Sequence, residues 1–283
     1  MKFRPMAELL RDAQARGYAV PSFCAWNAEV MEAILRVADD LRAPVIVMSG
    51  PGEFPLLGPA LMGSIAPMVA RRFSVPAALH LDHGDSPAVV KAGLDAGYTS
   101  VMLDYSTRPF AENAAALRAI VALARPLGVT VEGELGHVGK ADTMTAEGEG
   151  DSTLTEPGEA AAYVAQTGVD ALAVSIGNAH GQYTNLPTFD FERLAAIRAA
   201  TRVPLVLHGG SGTPEDDLKR AIALGMVKIN VATELTVAWR SGLLTELGAA
   251  GKRWLPQTLA ATTQHLVPVV ERWLRRTGAA GRA

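Results

Sequence analysis

The chain has 283 residues, 49% of them hydrophobic, enough for one large domain core. A formal net charge of −3 without a basic block argues against nucleic acid and anionic membranes as partners. With one cysteine, Cys24, no signal-peptide pattern and no run of about 18 apolar residues, the sequence predicts a cytoplasmic protein.

Short β-rich apolar runs alternate with stretches of helical periodicity along the chain. The predicted strands are residues 19–23, 44–48, 77–81, 100–103, 129–134, 171–176, 204–207 and 226–231. The predicted helices are residues 29–41, 86–96, 110–127, 157–166, 190–200 and 214–224. Eight strands with helical crossovers favour an α/β fold closed into a (β/α)8 TIM barrel over an open doubly wound sheet.

We expect residues 1–283 to form a single domain, with residues 255–276 as extra C-terminal helix outside the barrel. The polar segment 136–156, after the fifth strand, interrupts the regular alternation. Loops of this length in a compact domain are usually functional or disordered, and a position beside a strand end favours a lid.

Three histidines follow three different predicted strands, at the edge where barrels carry their active sites. His83, His180 and His208 each stand beside a glycine. Three imidazoles from separate strand ends are a common zinc set that leaves a coordination position open. Glu134 is the natural fourth or exchangeable ligand, and a carboxylate paired with an arginine is its alternative reading.

A glycine-rich turn, HGGSG at 208–212, lies between the seventh strand and a helix predicted to begin near Thr213 and Pro214. Glycines let backbone N–H groups approach an anion, and a helix N-terminus adds favourable partial charge. Asn230 and Thr233 follow the eighth strand, and barrels often bind phosphate after these two strands. A phosphate site beside a metal site predicts a phosphorylated, metal-chelating substrate.

At these residues the chain resembles the class II fructose/tagatose-bisphosphate aldolases over essentially its whole length. The matching blocks are HLDHG (80–84), VMLDYS (101–106), EGELG (132–136), IGNAHGQY (176–183), LHGGSG (207–212) and KINVATEL (228–235). The NVATEL block and the Gly281-Arg282-Ala283 ending are most similar to tagatose-bisphosphate aldolase catalytic subunits.

The resemblance implies an aldehyde-lyase that cleaves a ketose 1,6-bisphosphate, tagatose or fructose, to dihydroxyacetone phosphate and glyceraldehyde 3-phosphate through a metal-stabilised enediolate. Zn²⁺ would be the cofactor, with a monovalent cation as an optional activator. The implied ligands are His83, His180 and His208, with Glu134 entering or leaving, Asp104 as an alternative metal-binding carboxylate and Glu132 supporting the ligands.

The resemblance also assigns the remaining chemistry. Asp82 would exchange the proton of the C4 hydroxyl, with orientation of a ligand histidine as its alternative role. Asp142, where relatives carry a lid glutamate, would move the proton of dihydroxyacetone phosphate, with Glu147 and Glu149 as rivals. No Schiff base is needed, so Lys228 is expected to be structural. The C1 phosphate would be held by Gly181, Gly209, Ser211, Asn230 and Thr233.

Two departures from the family pattern fall on the acceptor-aldehyde side. Cys24 stands where relatives carry asparagine, and Gly50, beside Ser49, stands where they carry serine or threonine. A related aldolase with a different, unphosphorylated aldehyde is therefore an alternative, and Arg282 is a candidate for a second phosphate across a subunit contact.

A non-catalytic stabilising subunit and a zinc hydrolase are further alternatives. The retained histidines argue against the first, and the phosphate motifs argue against the second. The implied partners are a sugar phosphate and a second copy in a homodimer or homotetramer, with a companion subunit in the tagatose group. The sequence does not fix the stereochemistry of the ketose.

Overall fold

The computed structural model describes residues 2–141, 151–183, 186–249 and 254–283. Within these residues, parallel strands close into a barrel and pair in chain order, with the last strand returning to the first. The strands are β1 (Val20–Cys24), β2 (Val45–Ser49), β3 (Ala77–Gly84), β4 (Ser100–Leu103), β5 (Thr130–Leu135), β6 (Ala171–Val174), β7 (Leu205–Leu207) and β8 (Met226–Val231). The prediction of an eight-stranded (β/α)8 barrel is confirmed.

Every strand residue is buried, because side chains fill the barrel interior and helices cover its outer surface. The helices are α1 (Met6–Arg16), α2 (Ala28–Asp40), α3 (Pro59–Ala70), α4 (Pro87–Asp95), α5 (Phe110–Ala124), α6 (Pro157–Thr167), α7 (Phe191–Ala200), α8 (Glu215–Ala223), α9 (Thr233–Ala249), α10 (Leu255–Gln264) and α11 (Val267–Arg276). None of the described helices is long and apolar enough to cross a membrane.

Local chemistry fixes where several helices begin. The side chains of Asn27, Ser86 and Asp190 accept a hydrogen bond from a backbone N–H in the first turn of α2, α4 and α7. Proline occupies the first turn of α3, α4 and α6, where its missing N–H costs no helical hydrogen bond. These caps set the angle at which each crossover leaves its strand.

Besides α1 at the N-terminal end, two helices were absent from the sequence prediction. In α3, Gly63 and Pro67 break the helical pattern, yet Pro67 lies inside the helix. The other is α9, which follows directly on β8 at Thr233. At the C-terminus, α10 and α11 are the predicted extra helices, separated by a break at His265 and Leu266.

The last helix is part of the core. Trp273 of α11 is fully buried, and its indole N–H donates to Glu234 Oε2 over 2.9 Å at the start of α9. The same helix packs on α2 and on the start of β1. The C-terminal segment therefore ties the corner between β8 and α9 to the neighbouring part of the barrel at β1 and α2.

Replacing Trp273 with alanine removes a large buried side chain and leaves a cavity. We expect Trp273→Ala to lower the free energy of unfolding by about 3–5 kcal/mol. Trp254 is 72% exposed, so Trp254→Ala is a matched control with an expected change within about 0.5 kcal/mol. Denaturant unfolding of both variants measures the difference, and equal losses would contradict this account of α11.

Candidate metal centre and active site

The end of β3 brings three polar side chains to the barrel interior. Alternation along a strand places His80 and Asp82 on one face, and would place His83 on the other. However, His83 has a φ of 44°, and the pairing of β3 with β4 shifts register between Leu81 and Gly84. This irregular strand end turns His83 toward the same centre as His180 and His208.

His83, His180 and His208 converge from the ends of β3, β6 and β7. Each offers one ring nitrogen, and these atoms lie within 4.8 Å of one another. The ring centroids are 4.5 to 5.6 Å apart, and all three side chains are buried. The three histidines that the sequence analysis selected therefore form one cluster.

The other ring nitrogen of each histidine is fixed by a hydrogen bond to an oxygen. The pairs are His83 Nδ1 to Asp104 Oδ2 (2.7 Å), His180 Nδ1 to the Val138 carbonyl oxygen (3.0 Å) and His208 Nε2 to Glu132 Oε1 (2.9 Å). Such contacts set the tautomer and orientation of a histidine ligand. They direct the remaining lone pairs toward the shared centre.

Two carboxylates lie beside this cluster. Glu134 Oε2 is 3.2 Å from His208 Nδ1, and Glu134 Oε1 accepts a hydrogen bond from Val138 N over 3.0 Å. Ligand atoms of His83, Asp104 and Glu134 also lie within 4.8 Å of one another. Three imidazoles with an adjacent carboxylate are a donor set that fits zinc.

The histidines differ in how readily they carry a proton. Burial, together with the positive charges of His83 and His208, lowers the pKa of His180 well below its usual value. Burial also opposes protonation of His208, but hydrogen bonds to Glu132 and Glu134 outweigh it and raise its pKa to about 9. A proton and a metal ion therefore compete for His208.

Asp82 lies next to the cluster, with Oδ2 3.9 Å from His83 Nε2. Its Oδ2 accepts a hydrogen bond from Asn230 Nδ2 over 2.9 Å, and its Oδ1 is 3.2 Å from His80 Nε2. Burial raises the pKa of Asp82, but the charges of Lys228 and His83 outweigh it and hold the pKa well below the usual range. Asp82 is therefore an ionised carboxylate at the edge of the cluster.

Lys228 lies inside the barrel below these groups. Its Nζ is 2.9 Å from Glu132 Oε2, 3.6 Å from Asp82 Oδ1 and 3.3 Å from His80 Nε2, and the residue is fully buried. Burial raises the pKa of Glu132, but Lys228 and His208 lower it to about 2. The sequence contained a signal for this interior position of Lys228, because Asn230 follows two residues later in β8 and the two side chains therefore share one face of the strand.

The predicted phosphate residues gather at the corner of β7 and β8. Gly209 has a φ of 62°, and a Cβ there would lie 2.0 Å from the Ala179 carbonyl oxygen, so only glycine fits. Ser211 Oγ accepts a hydrogen bond from Glu234 N over 3.2 Å, and Thr233 begins α9. The contact of Gly209 with Ala179 brings the loop that carries Gly181 against this turn.

Asn230 is arranged differently from the other predicted phosphate residues. Its amide nitrogen donates a hydrogen bond to Asp82, and its buried Oδ1 accepts no hydrogen bond from the described residues. Its side chain thus contacts Asp82, and its backbone carbonyl oxygen accepts a hydrogen bond from Gly210 N in the glycine turn. The helix predicted to begin near Thr213 and Pro214 is α8, with Pro214 as its N-cap.

The two ends of the predicted lid are anchored to the site. His137 exchanges two backbone hydrogen bonds with Thr153, and Gly139 N donates to Ser152 Oγ over 3.0 Å. His180 N donates to Gly139 O, and Ala141 N donates to His180 O. The candidate proton carriers of the lid, Asp142, Glu147 and Glu149, lie outside the described residues, so their roles stay predictions.

The ends of β1 and β2 contain a carboxylate that the sequence analysis overlooked. Glu53 Oε2 accepts a hydrogen bond from Gly50 N over 2.8 Å, and the Glu53 carboxylate accepts another from the Cys24 thiol. A Cβ at Gly50 would lie 2.4 Å from the Asp82 carbonyl oxygen, so this turn packs directly on Asp82. Burial raises the pKa of Glu53, and the two hydrogen bonds oppose that effect.

Arg282, considered for a second phosphate, lies at the other end of the barrel in this chain. Its Nε donates to the Gly278 carbonyl oxygen over 3.3 Å, and its guanidinium lies 5.5 Å from the ring centroid of Tyr18. Tyr18 precedes β1, whereas the site lies where the strands end. Any contact of Arg282 with substrate would therefore require another copy of the chain.

Comparison with known proteins agrees with this geometry. The YdjI aldolase from Escherichia coli K12 is 30% identical and superposes with a TM-score of 0.87, with 100% of both chains covered. A fructose-bisphosphate aldolase from Campylobacter jejuni is 21% identical, with a TM-score of 0.83 and coverage of 98% of this chain and 95% of that chain, and supports the fold. The family model "Fructose-bisphosphate aldolase class-II" matches residues 4–282, so this chain belongs to the class II fructose-bisphosphate aldolases, a family of metal-dependent lyases.

Proposed function

We propose that this chain is a zinc-dependent aldolase that reversibly cleaves a ketose 1-phosphate to dihydroxyacetone phosphate and an aldehyde. The observation that carries the proposal is the convergence of three histidine nitrogens within 4.8 Å, next to the carboxylate of Asp82. The 1,6-bisphosphates of tagatose and fructose, which the sequence resemblance implies, are the first substrates to test.

His83, His180 and His208 would hold the zinc ion, with Glu134 as the exchangeable ligand and Asp104 as the alternative carboxylate. When bound, the ion supplies a Lewis acid that stabilises negative charge on the substrate oxygens. The hydrogen bonds that the histidines donate to Asp104, the Val138 carbonyl and Glu132 support this assignment, because they hold the three rings in the orientation that ligation requires.

Asp82 would accept the proton of the C4 hydroxyl during cleavage and return it during synthesis. Its ionised state suits a base, and the 2.9 Å hydrogen bond from Asn230 fixes the carboxylate plane. Lys228 keeps Asp82 ionised in a buried position but is itself occupied by Glu132. The proposed reaction therefore uses no Schiff base at Lys228.

The C1 phosphate would occupy the corner formed by Gly181, Gly209, Ser211 and Thr233, with Asn230 between that corner and Asp82. The start of α9 supplies backbone N–H groups and favourable partial charge there. We further propose that the enzyme works in the cytoplasm as a homodimer or homotetramer. The anchored ends of the lid support a role for that segment in excluding water.

The metal site can be tested by removing one ligand. We expect purified wild-type protein to contain zinc and to cleave ketose 1-phosphates, the 1,6-bisphosphates of tagatose and fructose among them, until a chelator is added. His180→Ala is expected to lower zinc occupancy at least ~10-fold. His265→Ala is the control, because His265 pairs with Glu246 away from the cluster. Elemental analysis measures the zinc occupancy, and a coupled assay measures cleavage. A metal-free active enzyme would refute the proposal.

The proposed role of Asp82 predicts that its replacement slows carbon–carbon cleavage much more than it slows proton exchange of dihydroxyacetone phosphate. Asp82→Asn is expected to slow carbon–carbon cleavage by about 10²- to 10⁴-fold. Exchange of the C3 proton of dihydroxyacetone phosphate with solvent should fall much less, because another group moves that proton. Isotope exchange and cleavage are measured on the same zinc-loaded sample. Equal loss of both reactions at full zinc occupancy would show that Asp82 instead orients a ligand.

Lys228 is expected to stabilise the fold through its buried carboxylates. Lys228→Met leaves Glu132 and Asp82 without their cation and should cost about 3–5 kcal/mol in the free energy of unfolding. Lys219→Met is the matched control, because its ion pair with Glu215 is exposed and is worth at most about 1 kcal/mol. Denaturant unfolding compares the two, and a neutral Lys228 variant would contradict the buried ion cluster.

A further inference from the structure

Glu53 occupies a junction between the ends of β1, β2 and β3. It contacts Cys24 at the end of β1 and Gly50 immediately after β2. Gly50 in turn packs against the backbone carbonyl of Asp82 in β3. The side chain is only partly exposed, and the charge of Asp82 acts on its carboxyl group. Glu53 is thus held at the mouth of the barrel, beside the base of the proposed reaction.

The direction of the substrate follows from the proposed function. If the C1 phosphate lies at the corner of β7 and β8 and Asp82 serves the C4 hydroxyl, the chain beyond C4 continues past Asp82. β2 pairs with β3, and Gly50 in the turn after β2 packs on the Asp82 backbone, so the turn that carries Glu53 lies directly beside the base. The aldehyde part of the substrate is therefore directed to the sector that Glu53 and Cys24 line.

This sector is acidic. Among the residues that the structure describes, Glu53 forms no ion pair with a lysine or arginine, and Arg282 lies at the other end of the barrel. A phosphate group placed here would face the carboxylates of Glu53 and Asp82 and be repelled. A hydroxyl group would instead donate a hydrogen bond to a carboxylate oxygen.

We infer that Glu53 is a specificity-determining residue that selects a hydroxylated aldehyde without a terminal phosphate as the acceptor. This inference rests on the proposed aldolase function and names its substrate class. The half of the site that binds dihydroxyacetone phosphate keeps its phosphate corner. The half that binds the aldehyde recognises hydroxyl groups through hydrogen bonds and does not recognise a phosphate. Cys24 contributes by donating to Glu53 and thereby fixing its position.

The test measures acceptor preference in the direction of synthesis. Zinc-loaded enzyme is given dihydroxyacetone phosphate with either glyceraldehyde or glyceraldehyde 3-phosphate, and kcat/KM is determined for each aldehyde. We expect the wild type to prefer glyceraldehyde by about tenfold or more, because like charges in contact are strongly disfavoured. Glu53→Gln should reduce this ratio by about tenfold, mainly by improving use of the phosphorylated aldehyde.

Glu53→Asp keeps the charge and is expected to keep the preference for the unphosphorylated aldehyde. Glu8→Gln is the surface control, because Glu8 is exposed on α1, away from the strand ends that carry the site. A wild-type preference for glyceraldehyde 3-phosphate would overturn the inference. So would a Glu53→Gln variant that loses both aldehydes in equal proportion.

Solvent exchange of the C3 proton of dihydroxyacetone phosphate separates this inference from the proposed function. Wild-type enzyme that exchanges the proton but shows no acceptor preference retains the aldolase proposal and refutes the role of Glu53. Wild-type enzyme that neither exchanges the proton nor joins either aldehyde refutes the aldolase proposal itself.

Discussion

The contact on which the site depends most is the buried salt bridge of Lys228 with Glu132. Three acidic groups, Asp82, Glu132 and Glu134, are almost completely excluded from water, and each would be costly without compensation. Lys228 lies 2.9 Å from Glu132 and 3.6 Å from Asp82, so one cation compensates two of them. Glu132 in turn holds His208. The cation in the barrel interior thus supports both the charge of Asp82, the proposed base, and the orientation of His208, a proposed metal ligand.

Above this ion cluster, close contacts between backbone segments, rather than long side chains, shape the site. The positive φ of His83 allows consecutive residues of β3 to face one centre. Gly209 lets the turn after β7 touch the loop before His180, and Gly50 lets the turn after β2 touch Asp82. Each approach excludes a Cβ atom, so the turns position the reacting groups within narrow limits. Precision at the mouth of the barrel therefore comes from the backbone of the strand ends.

The sequence predicted the strands and the three histidines well, because period, turn residues and strand ends follow local rules. It missed α3, where Pro67 lies within a helix that tertiary packing stabilises. It could not place Asn230 against Asp82, because that contact joins residues 148 positions apart. Glu53 was overlooked because a carboxylate in a polar turn has no distinctive spacing, and only the fold brings it to Cys24. Local patterns thus predicted the elements, whereas long-range contacts decided how individual side chains are used.

The two halves of the site are built on different parts of the fold, and this has a consequence for specificity. The proposed metal ligands, base and phosphate corner belong to β3 through β8, where hydrogen bonds connect many of the polar groups. The proposed acceptor sector belongs to the turn after β2, where Glu53 contacts the Cys24 thiol and backbone N–H groups of its own turn. Changes at Glu53 that leave Gly50 in place alter few of the contacts that hold Asp82, Glu132 and the histidines. In the proposed assignment, one scaffold keeps its carbon–carbon chemistry and its binding of dihydroxyacetone phosphate while the acceptor aldehyde changes, because Glu53, the residue proposed to choose the aldehyde, lies outside the buried ion cluster.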